Sequence, residues 1–156
     1  MEGVTLPDAE DPLDLDRQVC FPLYAASNLL NRLYRPILAE LGLTYPQYLV
    51  MLVLWKQAPQ TVGSLGGMLH LDSGTLTPLL KRMEQAGLIS RTRDAKDERR
   101  VLIGLTPEGG DLRSAAARVP EMLGAGLDID TASVVELRER VRALIAALQG
   151  SQSLNT

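Results

Sequence analysis

The chain has 156 residues, of which 46% are hydrophobic and only 4% aromatic, and its formal net charge is -3 at pH 7. This length and composition suit one aliphatic-rich domain with its own core. Because the sequence shows neither a secretion signal nor an apolar run of membrane-spanning length, we expect a cytoplasmic protein that does not enter membranes. The single domain is expected over residues 13–150, between a flexible acidic tail at 1–12 and a flexible tail at 151–156.

Two predicted helices, one near each end of the domain, carry long apolar seams. Heptad-like steps of three and four residues connect Val19, Leu23, Ala26, Leu30, Leu33 and Ile37, and a similar pattern connects Val134, Leu137, Val141, Leu144 and Leu148. We interpret residues 13–42 and 107–148 mainly as dimerisation helices. The alternative is that both seams belong to the core of a single chain.

Cys20, near the start of the first seam, is the single cysteine of the chain. An intrachain disulfide is therefore excluded, and with one histidine a Cys/His zinc site lacks ligands, so we expect no metal or cofactor. A lone cysteine is usually a small inert hydrophobe. Tyr24 lies one helical turn away, however, and Pro22 places a helix start near the thiol, where the helix dipole favours negative charge.

Tyr34 lies 14 residues beyond Cys20 on the same predicted helix. That separation is about 21 Å along an ideal helix, so Tyr34 cannot reach the thiol of its own chain. In a two-fold dimer with antiparallel first helices it reaches the partner's thiol instead. Phenol hydroxyls donate hydrogen bonds that stabilise a thiolate and prepare it for oxidation.

The middle of the chain has the pattern of a winged helix-turn-helix over residues 61–105. An apolar helix is predicted over 46–55, and a second helix over 61–69 is the first of a DNA-binding pair. Asp72 is a good N-cap for the recognition helix, and Thr106 followed by Pro107 starts another helix after the wing.

The recognition helix presents one apolar and one polar face. The apolar stripe consists of Leu76, Leu79, Leu80, Met83 and Ala86, and the polar face and its flanks carry Ser73, Gly74, Thr75, Thr77, Pro78, Lys81, Arg82 and Gln85. Small side chains near the N-terminal end let base edges come close in the major groove, while Lys81 and Arg82 reach phosphates.

The wing is predicted as a β-hairpin with strands over 88–93 and 100–105 and a charged tip over 94–99. Residues 71–105 contain two more cationic than anionic residues. Arg93 and Arg99 are two of the cationic residues. A tip this polar is suited to reach outward, so that Arg99 enters the narrow minor groove of A·T-rich DNA. The alternative is an ordinary solvated hairpin.

Four segments of the chain together resemble the MarR-type winged-helix repressors, specifically the OhrR branch that senses organic hydroperoxides. They are VCFPLYAAS at 19–27, LTYPQYLVMLVLW at 43–55, LDSGTLTPLLKRME at 71–84 and DERR at 97–100, and the resemblance extends from about Leu13 to Leu148. It implies a mainly α fold with a small β-hairpin wing, in which N- and C-terminal dimerisation helices flank the winged helix-turn-helix.

The resemblance also implies roles for particular residues. Cys20 matches the peroxide-sensing cysteine, and Tyr34 and Tyr45 match tyrosines that contact it from the partner chain. Matches to the family's DNA contacts are Asp72, Ser73, Thr75, Asp97 and Arg99. The sequence departs from the family at Pro22, where an apolar helix former is expected, and it lacks the resolving cysteine that two-cysteine members carry near the position of Pro120.

We therefore expect a homodimeric repressor, not an enzyme, that binds a pseudo-palindromic operator and releases it when an organic hydroperoxide oxidises Cys20. A small cellular thiol is expected to react with the oxidised cysteine. One alternative is a MarR-type repressor that responds to a small aromatic ligand. The other is a one-cysteine thiol peroxidase, which needs a dedicated cation beside the thiol; the nearest in sequence is Arg17.

Overall fold

The computed structural model describes residues 11–152, so the predicted tail at 1–12 lies almost wholly outside the described residues. The chain divides into two compact units, Met1–Val119 and Pro120–Thr156. The single domain over 13–150 therefore stays a prediction. Within residues 11–152, no helix combines the length and the apolar character that crossing a membrane requires.

The first unit has the winged-helix order of elements. A 3-10 turn at Leu15–Arg17 is followed by α1 (Cys20–Ala39), α2 (Tyr45–Lys56), β1 (Gln60–Thr61), α3 (Val62–Leu69), α4 (Ser73–Gln85), β2 (Ile89–Arg93), β3 (Val101–Leu105) and α5 (Pro107–Ala116). Next come α6 (Val119–Ala125) and, in the second unit, α7 (Thr131–Gln152), which ends two residues inside the predicted C-terminal tail. The predicted mainly α class with a winged helix-turn-helix is confirmed.

The wing contains one more strand than the predicted hairpin. Strands β2 and β3 pair antiparallel with Arg91 opposite Ile103, and β1 pairs with the other edge of β3, Thr61 opposite Leu102. The sheet order is therefore β1-β3-β2. A two-residue strand has no alternating pattern of its own, so the sequence did not indicate β1.

Side-chain caps explain where three helices begin. Oγ1 of Thr61, Oδ1 of Asp72 and Oγ1 of Thr106 each accept a hydrogen bond from the backbone N–H three residues further on. Thr44 caps α2 in the same way and forms a capping box with Gln47. The predicted caps at Asp72 and Thr106 are confirmed, and such a cap typically contributes about 1 kcal/mol.

A glycine, Gly87, terminates the recognition helix α4 two residues after its last helical residue, Gln85. Gly87 has a φ of 76°, and its N–H donates to Glu84 O while the N–H of Leu88 donates to Met83 O, the two hydrogen bonds of a Schellman motif. The predicted apolar stripe is correct for its first four residues, which are buried. It is wrong for Ala86, which is exposed because it is the C-cap. The helix runs unbroken through Pro78.

Pro22 lies in the first turn of α1 and does not disturb the helix. The helix begins at Cys20, which puts Pro22 in the first turn, where a backbone N–H has no acceptor within the helix. The departure from the family pattern is therefore compatible with a regular helix. Val19, the first residue of the predicted seam, is the N-cap and lies outside the helix.

The core of the first unit is built from α2, α3, α4 and the sheet. Its fully buried side chains include Val50, Met51, Leu54, Leu65, Leu76, Leu80, Met83, Ile89 and Ile103. Burying one such side chain typically stabilises the fold by about 1.5–3 kcal/mol. The core thus packs against the apolar face of the recognition helix, and the polar residues lie on the opposite face.

Both predicted seams remain largely exposed in the single chain. In α1 only Leu38 is buried, while Leu23 and Leu30 are 37% and 41% exposed. In α7, Leu137 is 54% exposed and Leu148 is 56% exposed. Ile37, at the end of the first seam, packs against the core, so the exposed part of that seam lies nearer the N-terminal end of α1.

Candidate DNA interface and redox site

The polar face of α4 points to solvent as predicted. Asp72, Ser73, Thr75, Lys81 and Arg82 are exposed, and Thr77 is half-buried. Since Asp72 accepts from the Thr75 N–H at 2.8 Å, its carboxylate is occupied in capping the helix. The helix therefore offers short hydroxyl side chains at its N-terminal end and cations further along, an arrangement suited to the major groove.

The wing tip is held by its own acidic residues. Asp97 Oδ1 accepts from both the backbone N–H and the Nε of Arg99, at 3.1 and 3.3 Å. Nη1 of Arg93 donates to the backbone carbonyl oxygen of Glu98 at 3.2 Å. The Arg99 side chain is nevertheless 92% exposed, so the tip is ordered while its guanidinium group projects outward.

A groove of about 420 Å³ lies between the start of α3, the recognition helix and the root of the wing. It is lined by Thr61, Val62, Gly63, Thr77, Arg91, Arg99, Arg100 and Val101. The sequence interpretation did not select Arg91 or Arg100 as site residues. The available signal was the two-residue period of β2, which puts Arg91 on the same face as the buried Ile89.

Three tyrosines form a cluster where α1 meets α2. The rings of Tyr34 and Tyr45 have centroids 4.5 Å apart, and Tyr48 lies 6.0 Å from Tyr34 and 6.5 Å from Tyr45. The structure thus brings together Tyr34, which the residue spacing singled out, and Tyr45, which the family resemblance added. It adds Tyr48, which lies one helical turn after Tyr45 in α2, a spacing visible in the sequence.

The tyrosine hydroxyls keep their protons well above neutral pH. Burial, and then the neighbouring Tyr45 and Tyr48, raise the pKa of Tyr34 from 10.0 to about 12. Burial also raises the pKa of Tyr45 and of Tyr48. A neutral phenol donates a hydrogen bond, so the cluster is suited to support an anion such as a thiolate.

Trp55 links this cluster to the root of the wing. Its indole meets Tyr48 edge-on with ring centroids 6.4 Å apart, and its Nε1–H donates to Gly109 O at 2.8 Å. A Cβ at Gly109 would collide with the carbonyl of Leu88, so α5 and the start of the wing are in close contact. The hydroxyl of Thr106 joins them by donating to Gly87 O at 2.6 Å.

Cys20 is exposed and is the first residue of α1. Tyr34 is on the same helix, where 14 residues correspond to about 21 Å. One chain therefore does not bring the thiol to the tyrosine cluster, in agreement with the sequence argument. Tyr24, the neighbour on the same face of the helix, is 67% exposed. Among residues 11–152, no group of three His, Cys, Asp or Glu side chains is arranged to hold a metal ion.

Comparison with known proteins agrees with this architecture. Residues 32–115 match the family described as transcriptional regulator SarA/Rot. The organic hydroperoxide resistance transcriptional regulator of Bacillus subtilis is 46% identical to the chain over 139 residues, which cover 89% of this chain and 92% of the relative.

The structural neighbours include AbfR of Staphylococcus epidermidis. Reduced AbfR bound to DNA is 38% identical and superposes with a TM-score of 0.76, over 87% of this chain and 93% of AbfR. Overoxidised AbfR bound to DNA and disulfide-formed AbfR are each 40% identical over 84% of this chain, covering 94% and 92% of AbfR, with TM-scores of 0.68 and 0.61. With its winged helix and these relatives, the chain belongs to the MarR-type winged-helix transcriptional regulators and is a homologue of organic hydroperoxide resistance regulators.

Proposed function

We propose that the protein is a homodimeric repressor that binds operator DNA while Cys20 is reduced and releases it when an organic hydroperoxide oxidises Cys20. The observation that carries the proposal is the exposure of Cys20 at the N-terminus of α1, in a chain that also has a winged helix with Arg99 exposed at the wing tip. Operator binding, not catalytic turnover, is its activity, and its place is the cytoplasm.

On the DNA, the two recognition helices of the dimer enter successive major grooves. Ser73, Thr75 and Thr77 face base edges, Lys81 and Arg82 neutralise phosphates, and the two copies require a pseudo-palindromic site. In the wing, Arg99 enters the flanking minor groove, Asp97 orients it, and Arg93 adds positive charge nearby.

The redox step takes place at the sulfur of Cys20. The thiolate attacks the terminal oxygen of the hydroperoxide, forming an S–O bond while the O–O bond breaks. Sulfur loses two electrons and becomes a sulfenic acid, and the leaving alkoxide takes up a proton to become the alcohol. Tyr34 and Tyr45 of the partner chain donate hydrogen bonds to the thiolate before it reacts.

The exposed seams of α1 and α7 are the surfaces that bring the two chains together. Because Tyr34 cannot reach the thiol of its own chain, the dimer is also what completes the redox site. Two AbfR structures support redox control of DNA binding, since they describe a related protein reduced and on DNA and in a disulfide state.

The test is operator binding before and after oxidation. An operator duplex is selected by the reduced protein from a random-sequence library, and its affinity is followed by fluorescence anisotropy. We expect one equivalent of an organic hydroperoxide to weaken binding by wild type and to leave Cys20→Ser unchanged. Release of the duplex by Cys20→Ser at the same dose would favour the ligand-responsive alternative, and sustained peroxide turnover with a thiol reductant would favour the peroxidase.

A further inference from the structure

We infer that the groove between α3, α4 and the wing root binds a phosphate group of the DNA backbone, with Arg91 as its central ligand. This inference rests on the proposed DNA-binding function. It assigns a contact to Arg91, which lies outside the quoted motifs and off the exposed face of α4, and to Arg100, which ends the DERR segment but was given no role of its own. Its basis is the charge, the hydrogen-bonding state and the position of the groove.

The groove is lined for an anion. Three of its eight lining residues are arginines, two are threonines, and none is acidic. Each arginine has a carboxylate partner outside this lining: Glu84 for Arg91, Asp97 for Arg99 and Asp94 for Arg100. Such partly exposed ion pairs are weak, so a phosphate can compete for the guanidinium groups. The exposed fraction of the side chain rises from 23% at Arg91 to 56% at Arg100 and 92% at Arg99. The cations thus extend from the floor of the groove to its rim, as a site that accepts an anion from outside requires.

Arg91 has hydrogen-bonding capacity left over. Its Nη1 is 3.5 Å from Glu84 Oε2 on the recognition helix, which holds the side chain against α4. Its Nε is shielded from solvent and has no hydrogen-bond partner among the described residues. Because Nε is closed to solvent, a phosphate has to meet the part of the Arg91 side chain that is still exposed, where a planar guanidinium can match two phosphate oxygens at once.

The start of α3 forms another wall of the groove. Val62 and Gly63 are the first two residues of that helix, whose first backbone N–H groups have no intrahelical acceptor. A helix N-terminus favours a phosphate through these donors and through the helix dipole. This contribution is independent of the arginine side chains.

The position of the groove identifies the source of the phosphate. It lies between Thr77 of the recognition helix and Arg99 of the wing. When α4 occupies a major groove and Arg99 the adjacent minor groove, the sugar-phosphate backbone that separates the two DNA grooves must pass between them. A phosphate of that backbone is therefore brought to Arg91.

The test compares charge removal inside and outside the groove. Arg91→Met keeps an unbranched apolar stem and removes the guanidinium, and Arg113→Met removes an equal charge from an exposed position on α5. Anisotropy is measured with the operator and with a scrambled duplex over a series of salt concentrations. Arg91→Met is expected to weaken both duplexes by the same factor, roughly five- to tenfold at 0.1 M salt, and to reduce the salt slope by about 0.9.

Two more variants separate this contact from a loss of structure. Glu84→Gln removes the partner of Arg91 but keeps the cation, so the salt slope should stay at the wild-type value. Arg100→Met should lower the slope as Arg91→Met does. A slope for Arg91→Met equal to that of Arg113→Met overturns the phosphate contact while leaving operator binding by wild type, and hence the proposed function, intact.

A final measurement distinguishes the DNA backbone from free phosphate. Wild type and Arg91→Met are titrated with inorganic phosphate at constant ionic strength in a calorimeter. We expect no saturable heat that depends on Arg91, because a single phosphate lacks the rest of the duplex contacts. Saturable binding that Arg91→Met abolishes would overturn the assignment to DNA and make the groove a site for a free phosphate anion.

Discussion

Asp97 holds Arg99 because one carboxylate oxygen, Oδ1, accepts two hydrogen bonds from it, one from the backbone N–H at 3.1 Å and one from the side-chain Nε at 3.3 Å. The pair is exposed, so it adds little to the stability of the fold. The pair instead restricts the direction in which the Arg99 guanidinium points, because Asp97 is bound to both the backbone and the side chain of Arg99. A side chain that is already restricted in this way loses less conformational freedom when it binds a partner.

Arg99→Ala is expected to weaken operator binding and to relax the preference for A·T pairs beside the palindrome, because we propose that Arg99 enters the narrow minor groove there. Lys81→Ala is expected to weaken all sequences alike and to reduce the salt slope by about 0.9. Both variants are compared by anisotropy on operators with A·T or G·C flanks. Unchanged operator affinity for Arg99→Ala would remove the wing from the interface.

Asp97→Ala separates orientation from charge. Removal of an anion near DNA should strengthen binding to a scrambled duplex, whereas loss of the Arg99 constraint should weaken binding to the operator. We therefore expect the ratio of operator to scrambled affinity to fall. An equal increase for both duplexes would mean that Asp97 acts through its charge alone.

Tyr34→Phe is expected to slow oxidation of Cys20 by about tenfold while leaving DNA affinity in the reduced state unchanged. The reason is that a hydrogen bond to a charged group contributes about 1.5 kcal/mol. The rate is followed by quenching with a thiol-specific alkylating reagent and mass spectrometry. Equal rates in wild type and Tyr34→Phe would count against activation by the tyrosine.

Heterodimers test whether that contact crosses the dimer. One heterodimer pairs a Cys20→Ser chain with a Tyr34→Phe chain, and its remaining cysteine faces the intact Tyr34 of the partner chain. The other pairs a doubly substituted chain with wild type, and its remaining cysteine faces the substituted position. Each contains one Cys20 and one Tyr34, yet only the second is expected to react slowly. The opposite order would place the contact within one chain.

Hydroperoxide together with a small thiol is expected to release operator DNA more completely than hydroperoxide alone. The chain has a single cysteine, so a sulfenic acid at Cys20 has no resolving partner in its own chain and reacts with an external thiol. A bulky thiol adduct beside α1 should change the spacing between the two recognition helices of the dimer more than the single oxygen atom of a sulfenic acid does. Overoxidised AbfR on DNA is consistent with a weak effect of small modifications in that relative. Equal release in both conditions, measured by anisotropy, would contradict the prediction.

Alkaline pH should destabilise the tyrosine cluster. The pKa of Tyr34 is about 12 in the folded chain against an ordinary value of 10.0, so folding favours the protonated phenol. That contribution is fully present below pH 10 and is lost as the pH rises towards 12. Urea unfolding across this range should show a smaller loss of stability for Tyr34→Phe than for wild type. Parallel curves would contradict the assignment.

Trp55→Phe is expected to lower the free energy of unfolding by about 1–2 kcal/mol, because it leaves the carbonyl of Gly109 without the indole donor. The measurement is urea unfolding followed by circular dichroism. Tyr24→Phe is the matched control, since it also removes a polar group from an aromatic ring but at an exposed position. A loss for Trp55→Phe no larger than for Tyr24→Phe would show that the hydrogen bond contributes nothing.

The sequence by itself determined the elements that depend on local chemistry. The caps at Asp72 and Thr106, the apolar stripe of α4 through Met83 and the two strands of the wing all follow from residues close together in the chain. It also determined that Tyr34 and Cys20 do not meet within one chain, because helix rise alone sets their separation.

Only the tertiary structure decided which distant residues meet. The pairing of β1 with β3, the approach of Trp55 to Gly109 and the arginine groove each join segments far apart in the chain. No local period encodes such contacts, since they depend on how the core sets the angles between helices and on the register of the sheet. For the same reason Arg91 looks like an ordinary strand residue in the sequence, and its shielded Nε becomes evident only after β2 has packed beside α4.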